Sequence, residues 1–274
     1  MIDPGLGGRV ALVTGANQGI GAAAAAALAA QGVAVFLTYL RLDPAEHAGE
    51  SAYPDAYGQL RARDADDVAA RIRAAGGTAE CMEADLADPA APGLVFDRAE
   101  AALGPVEILV NNASSWLANT FQPGRQDRFG RGLRPVDAAR HDRQFAVDAR
   151  APALLIAEFA GRHLQRGAQW GRIIGLTSGG PGGFPEEVSY GAAKAAQENY
   201  TMSAAQELGP YGITANIVYP PATDTGWVTP AVKQAVLAAS PLRHVGQPDE
   251  VAEVITFLAS HQARYITGQI IRMS

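Results

Sequence analysis

Apolar residues in this chain come in short continuous runs separated by longer alanine-rich stretches, and the alternation persists from end to end. β-Branched or aliphatic runs stand at Val10–Val13, Val33–Leu37, Glu107–Val110, Arg172–Leu176, Thr214–Val218 and Gln269–Ile271, with a weaker one at Thr78–Glu83. Runs of this length without polar alternation fit strands buried on both faces. Between them, Ala22–Ala30, Ala65–Ala75, Leu94–Leu103, Ala151–Leu164, Ala192–Leu208 and Glu250–Ala259 have helical length and composition. The repeated strand–helix order predicts a single doubly wound α/β domain over 1–274, with about seven parallel strands flanked by helices and joined by right-handed crossovers.

Two polar segments interrupt the rhythm, at 43–63 and 121–140. Both are rich in Gly, Pro and charged residues and lack sustained periodicity. Loops this long in an α/β domain are either solvated insertions or parts of a lid or subunit contact.

Hydrophobic residues make up 48% of the 274 and charged residues 18%, the mixture of a globule with a substantial core. A net charge of −6 leaves no basic field for nucleic acid or an anionic membrane. The first residues carry no basic n-region and no run is long enough to span a bilayer, so the expected location is cytoplasmic. A single cysteine, Cys81, excludes an internal disulfide and any CxxC motif. The five histidines are scattered without ligand spacing, so no metal site is expected.

The first strand runs into Thr14-Gly15-Ala16-Asn17-Gln18-Gly19-Ile20-Gly21 and then into a helix. Glycines let a backbone approach a pyrophosphate, and a helix N-terminus supplies unpaired N–H groups and partial positive charge. At the first strand–helix junction of a parallel sheet this pattern points to a dinucleotide of the Rossmann type. The second strand closes with Leu37-Thr38-Tyr39-Leu40-Arg41. No acid stands at Thr38 or Tyr39 to take a ribose 2′-hydroxyl, and Arg41 is near enough to meet a 2′-phosphate. NADP(H) is therefore favoured, with Asp43 weighing toward NAD(H).

Tyr190 and Lys194 stand four apart in a helical stretch and share a face. The chain holds only two lysines, which makes the placement selective. A phenol with its ordinary pKa near 10 is a poor acid–base group at neutral pH, and a fixed ammonium favours its phenolate. Upstream, Gly175-Leu176-Thr177-Ser178 ends a strand, where a hydroxyl faces the ligand crevice. Ser178 is the candidate donor to a substrate oxygen, with Thr177 a competitor. Trp227 is a candidate pocket aromatic.

Thr14-Gly15-x-x-x-Gly19-Ile20-Gly21, Asn111-Asn112-Ala113, Ser178 and Tyr190-x-x-x-Lys194 together resemble the short-chain dehydrogenase/reductase family, most of all its 3-oxoacyl-carrier-protein reductase-like members. Asp85-Leu86, Asn216 through Pro220 with Thr225, and Pro248 through Ala252 extend the resemblance over nearly the whole chain. It implies that Tyr190 exchanges a proton with a carbonyl or alcohol oxygen, that Lys194 holds the nicotinamide ribose and lowers the phenol's pKa, and that Ser178 orients the oxygen. It also places Asp85 and Leu86 at the adenine, Asn111 and Ala113 at the adenine ribose, and Pro220 and Thr225 by the nicotinamide. The substrate it implies is a small-molecule carbonyl or alcohol. The helices at Ala151–Leu164 and Ala192–Leu208 resemble those that join family members as homotetramers or homodimers.

Departures from the family pattern are as informative. Ser114 stands where glycine is usual, and Pro221 follows Pro220 where glycine is usual. The Ser178–Tyr190 interval is one residue short of the commonest spacing, which keeps Thr177 in play. Asp148 occupies the place of a catalytic asparagine, adding negative charge near Lys194 and raising the expected phenol pKa. That substitution is also the one feature favouring a nucleotide-binding regulator or scaffold without turnover. An enoyl reductase of the same fold is expected to have a wider Tyr–Lys interval.

Overall fold

The computed structural model describes residues 3–47, 54–178 and 183–274. Seven parallel strands form the central sheet: β1 Val10–Thr14, β2 Ala34–Tyr39, β3 Thr78–Glu83, β4 Ile108–Asn111, β7 Gly171–Leu176, β8 Ile213–Tyr219 and β9 Ile270–Arg272. A separate two-stranded pairing joins β5 Asn119–Thr120 to β6 Arg134–Pro135. The main sheet runs β3-β2-β1-β4-β7-β8-β9, so the chain reverses its direction of winding between β1 and β4. Ligands in such sheets bind beyond the strands' carboxyl ends at that reversal.

Alternation within each strand feeds two cores. Ala11 and Val13 of β1 face one side, and Val10 and Leu12 face the other. The first side is covered by α1 Gly19–Ala29 and α9 Pro248–Ala259, through Ala24, Ala25 and Leu28 against Val251, Ile255 and Leu258. Alanines on α1 allow this close approach. The second side is covered by α4 Ala91–Leu103, α6 Ala151–Gln165 and α7 Val188–Leu208, with Phe96 and Phe159 fully buried among them. Burial on both faces is why the strands read as unbroken apolar runs. α9 starts with Pro248 after a capping box between Gln247 and Glu250, which fixes its first turn.

The polar segments are more structured than their lack of periodicity predicts. The first contains α2 Asp55–Arg61, and α3 Asp66–Ala74 follows; residues 48–53 lie outside the described set. In the second, Asp127 closes a turn by accepting the N–H groups of Phe129 at 2.9 Å and Arg131 at 2.8 Å. α5 Ala138–Phe145 and a π-helical turn at Ala146–Arg150 then lead into α6. A further helix absent from the periodicity, α8 Pro230–Ala239, is capped by Thr229, whose hydroxyl accepts the Val232 N–H at 3.3 Å.

The thiol of Cys81 is pushed up to about 11, by burial first and then by its hydrogen bond to Asp66, and so stays protonated at neutral pH. No helix among the described residues is long and apolar enough to cross a membrane.

Candidate active site

The loop after β1 is held by atoms of the β4 end. Thr14 Oγ1 accepts the N–H groups of Asn112 and Ala113 at 3.0 Å each, and Asn112 Nδ2 donates to the carbonyls of Thr14 and Gly15 at 2.8 and 3.0 Å. Gly19 has φ +55°, and a Cβ there would stand 2.9 Å from Thr225 Cγ2. A Cβ on Gly21 would fall onto the Gly15 carbonyl and the Asn112 amide, so Gly21 is required by the loop's own packing. The N-cap of α1, Gln18, makes no side-chain capping bond, and no acidic residue stands in the first turn. The result is a glycine cradle with unanswered N–H groups, which fits a pyrophosphate.

A cleft of ≈ 1150 Å³ opens from this cradle and crosses the carboxyl ends of the strands. Its wall includes Gly15, Asn17 and Gln18 from the loop, Gly19 and Ile20 at the start of α1, Tyr39 at the end of β2 and Arg41 beyond it, Asp85 and Leu86 beyond β3, and Ala113 beyond β4. Thr177, Ser178, Tyr190, Lys194, Pro220, Thr225 and Trp227 line its other end. Gly21, Asn111 and Asp148 are not on the wall. Asn111 is buried, with neither side-chain polar atom hydrogen-bonded, and its carbonyl instead accepts Gln197 Nε2 at 3.2 Å. The Asp85 carboxylate is held by Arg143 Nη1 at 3.0 and 2.8 Å.

Both polar segments reach the cleft. Tyr57 and Arg61 of α2 line it, and Arg61 donates to the Ser114 carbonyl at 2.7 Å. Arg128, Phe129, Arg131 and Leu133 line it from the second segment. Tyr57 of the first segment meets Trp116, which follows β4, edge-on with ring centroids 6.1 Å apart.

The helix α7 carries Tyr190 and Lys194 on one face, as their spacing requires. Ser178 shares the cleft wall with the Tyr190 phenol and is the neighbour that acts to lower its pKa. Thr177 is buried and donates instead to Glu198 Oε1 at 2.6 Å, so its hydroxyl is directed elsewhere. Lys194 Nζ lies 5.8 Å from the Tyr190 ring centroid and donates to the Leu176 carbonyl at 3.0 Å and to Gln197 Oε1 at 2.9 Å.

Behind Lys194, Asp148 Oδ1 approaches Nζ to 3.2 Å, with both side chains buried. Asp148 Oδ2 accepts Gln144 Nε2 at 2.5 Å and the Ser115 N–H at 2.9 Å. The expected lowering of the phenol by the ammonium is corrected here: Tyr190 is held well above its ordinary value. Burial is the main cause, followed by the negative charges of Asp148 and Glu187, against which Ser178 works. The ammonium's field is balanced by a carboxylate in contact with it.

Residues that spacing did not reveal complete the site. Asn112 staples the cradle, while Gln144, Ser115 and Gln197 hold the Asp148–Lys194 pair. Glu187, one turn before Tyr190, is half-buried against Trp116, whose Nε1 donates to it at 2.5 Å. Isolated Gln, Ser and Glu residues carry no spacing signal; only the Asn112 position lay inside a recognisable motif.

Among the described residues no cluster of His, Cys, Asp or Glu is arranged to hold a metal. The family model described as enoyl-(acyl carrier protein) reductase matches residues 55–274, and that described as short chain dehydrogenase matches 9–66. The uncharacterised oxidoreductase YjdA of Bacillus subtilis is 35% identical, over 96% of this chain and 94% of its own. The cis-4-hydroxycyclohexanecarboxylate dehydrogenase of Sinomonas cyclohexanicum is 36% identical over the same shares. A short-chain dehydrogenase of Burkholderia cenocepacia solved in complex with NADP superposes with a TM-score of 0.79, at 31% identity over 98% of this chain and 97% of that one. Sequence, sheet order and site geometry agree: this chain is a Rossmann-fold oxidoreductase of the short-chain dehydrogenase/reductase family.

Proposed function

We propose that this enzyme interconverts a small-molecule ketone and its secondary alcohol with NADP(H), working as a carbonyl reductase or alcohol dehydrogenase. The observation that carries the reading is Tyr190 on the cleft wall together with Ser178, with Lys194 on the same helix face as the phenol. When bound, a nicotinamide supplies hydride to the carbonyl carbon or accepts it from the carbinol carbon. Tyr190 gives its phenolic proton to the carbonyl oxygen in reduction, or takes the alcohol's proton in oxidation. Ser178 donates a hydrogen bond to that oxygen as charge develops on it. Lys194, buried and anchored by Leu176 and Gln197, stabilises the phenolate that remains.

The glycine cradle and α1 would hold the pyrophosphate, with Asp85 and Leu86 at the adenine and Pro220 and Thr225 at the nicotinamide end. Arg41 on the wall and NADP bound to the Burkholderia cenocepacia structure support NADP(H); NAD(H) is the alternative. The four-residue Tyr190–Lys194 interval supports carbonyl over enoyl chemistry. Exposed Leu164 on α6 and Tyr200 on α7 support self-association through those helices as a homotetramer or homodimer, which sedimentation measures.

The test is a carbonyl panel assayed with NADPH for wild type and Tyr190→Phe, alongside NADPH binding by fluorescence. Turnover that falls by about 10²–10⁴-fold in the variant, with binding retained, supports the reading. The Asp148–Lys194 pair favours a second reading, a nucleotide-binding regulator. That protein would bind NADPH and show no turnover for the substitution to remove.

A further inference from the structure

Glu83 is the last residue of β3 and grips Arg41 at four points. Its Oε1 accepts the Arg41 backbone N–H at 3.0 Å and Nε at 3.1 Å; its Oε2 accepts Nε at 3.0 Å and Nη2 at 2.7 Å. The register explains the meeting. Tyr39 lies opposite Glu83 across the β2–β3 pairing, so the carboxylate reaches the chain just where it leaves β2. The hold is side-on. A guanidinium has five N–H groups, and this grip uses the Nε edge and one hydrogen of Nη2. The outer edge remains, and Arg41 lies on the cleft wall beside Tyr39 and Asp43.

The charge balance at this end of the cleft is also unusual for a phosphate subsite. Glu83 and, more weakly, Asp64 act on the Arg41 guanidinium, and Asp43 lines the cleft two residues on. Arg143 of α5, also on the cleft wall, is committed to Asp85 beyond β3. A nucleotide 2′-phosphate reaching this end of the cleft therefore meets a guanidinium held in place by Glu83 whose positive charge is already answered.

We infer that Glu83 is a specificity-determining residue for the nucleotide: it aims Arg41 at the 2′ position while cancelling its charge, narrowing the preference for NADP(H) over NAD(H). This rests on the nucleotide binding proposed above. The hydrogen-bonding edge still distinguishes a phosphate from a hydroxyl, but the long-range attraction to the phosphate's charge is mostly removed. Glutamine lacks the negative charge and keeps one acceptor oxygen for the Arg41 backbone N–H and Nε, while its amide nitrogen gives up the Nη2 contact, so the charge is removed with part of the hold retained.

The experiment is equilibrium binding of NADPH and of NADH, followed by nicotinamide fluorescence, to wild type, Glu83→Gln and Arg41→Ala. In Glu83→Gln, NADPH is expected to bind about three- to tenfold tighter, with NADH changing by less than about twofold and the gain shrinking as salt is added. Arg41→Ala is expected to weaken NADPH and bring the two nucleotides together. Unchanged or weaker NADPH binding in Glu83→Gln, with Arg41→Ala still weakening it, overturns the role given to Glu83 and leaves Arg41 as the reader. No effect of either substitution on the NADPH/NADH ratio removes both residues from the 2′ subsite. Failure of the wild type to bind either nucleotide overturns the proposed function and this inference together.

Discussion

Asp148 and Lys194 face one another at 3.2 Å in the interior, the carboxylate on the π-helical turn before α6 and the ammonium on α7. Neither is on a solvent-facing surface, yet Lys194 also touches the cleft beside Tyr190. A change in the charge of one partner is therefore felt at the phenol through the other.

Asp148→Asn removes a negative charge that holds the Tyr190 phenol up. The phenolate then forms at lower pH. In alcohol oxidation, which needs the phenolate, the rising limb of kcat/KM is expected to move to lower pH. In ketone reduction, which needs the phenol, activity is expected to begin falling at lower pH. Profiles of both directions across about pH 7–11, a span that includes the ordinary phenol value near 10, check this, and superimposable wild-type and variant curves would refute it.

Lys194→Met strands the Asp148 carboxylate without its partner. Breaking a buried pair from one side costs about 3–5 kcal/mol, whereas removing both charges is far less costly. The single variant is expected to lose stability on that order in urea denaturation. The double variant Asp148→Asn/Lys194→Met is expected to recover most of it. Simple additivity of the two single effects would show that the pair is not coupled.

Glu187 offers a pH test of a different sign. Burial is the first cause of its raised pKa, outweighing the Trp116 hydrogen bond and the nearby Arg131 and Arg128. A carboxyl whose folded value lies above its unfolded value favours the fold at low pH, where it is protonated in both states. That contribution is lost as pH rises through the unfolded and then the folded value. Glu187→Gln keeps an acceptor for Trp116 and cannot ionise. Its Tm is expected to exceed that of wild type at pH 8, with the gap closing by about pH 4, near the ordinary Glu value. A gap that is constant across this range would assign the effect to packing.

The five inner strands were legible because burial on both faces leaves an unbroken apolar run, as Val10–Thr14 and Gly171–Leu176 show plainly, whereas the edge strands β3 and β9 are only partly buried and β3 reads weakly. α2 and α8 were not. Each is short and lies at the surface, so its apolar face is too small to give a period; α8 buries only Val232 fully. The Tyr190–Lys194 face was legible because a helix fixes it locally, and the same holds for the glycine cradle after β1.

What sequence alone determined, then, is whatever a single element imposes on itself: the strand and helix order, the glycine-rich turn after β1, and a phenol and an ammonium one turn apart. What only the folded molecule decided is what distant segments do to those groups. Asp148 answers the charge of Lys194 from far away in the chain, Glu83 takes hold of Arg41 across a strand pairing, and Thr177 turns its hydroxyl to Glu198, leaving Ser178 as the hydroxyl that acts on the phenol. Electrostatic fields and hydrogen bonds depend on separation in space, and spacing along the chain reports that separation only within one helix or strand.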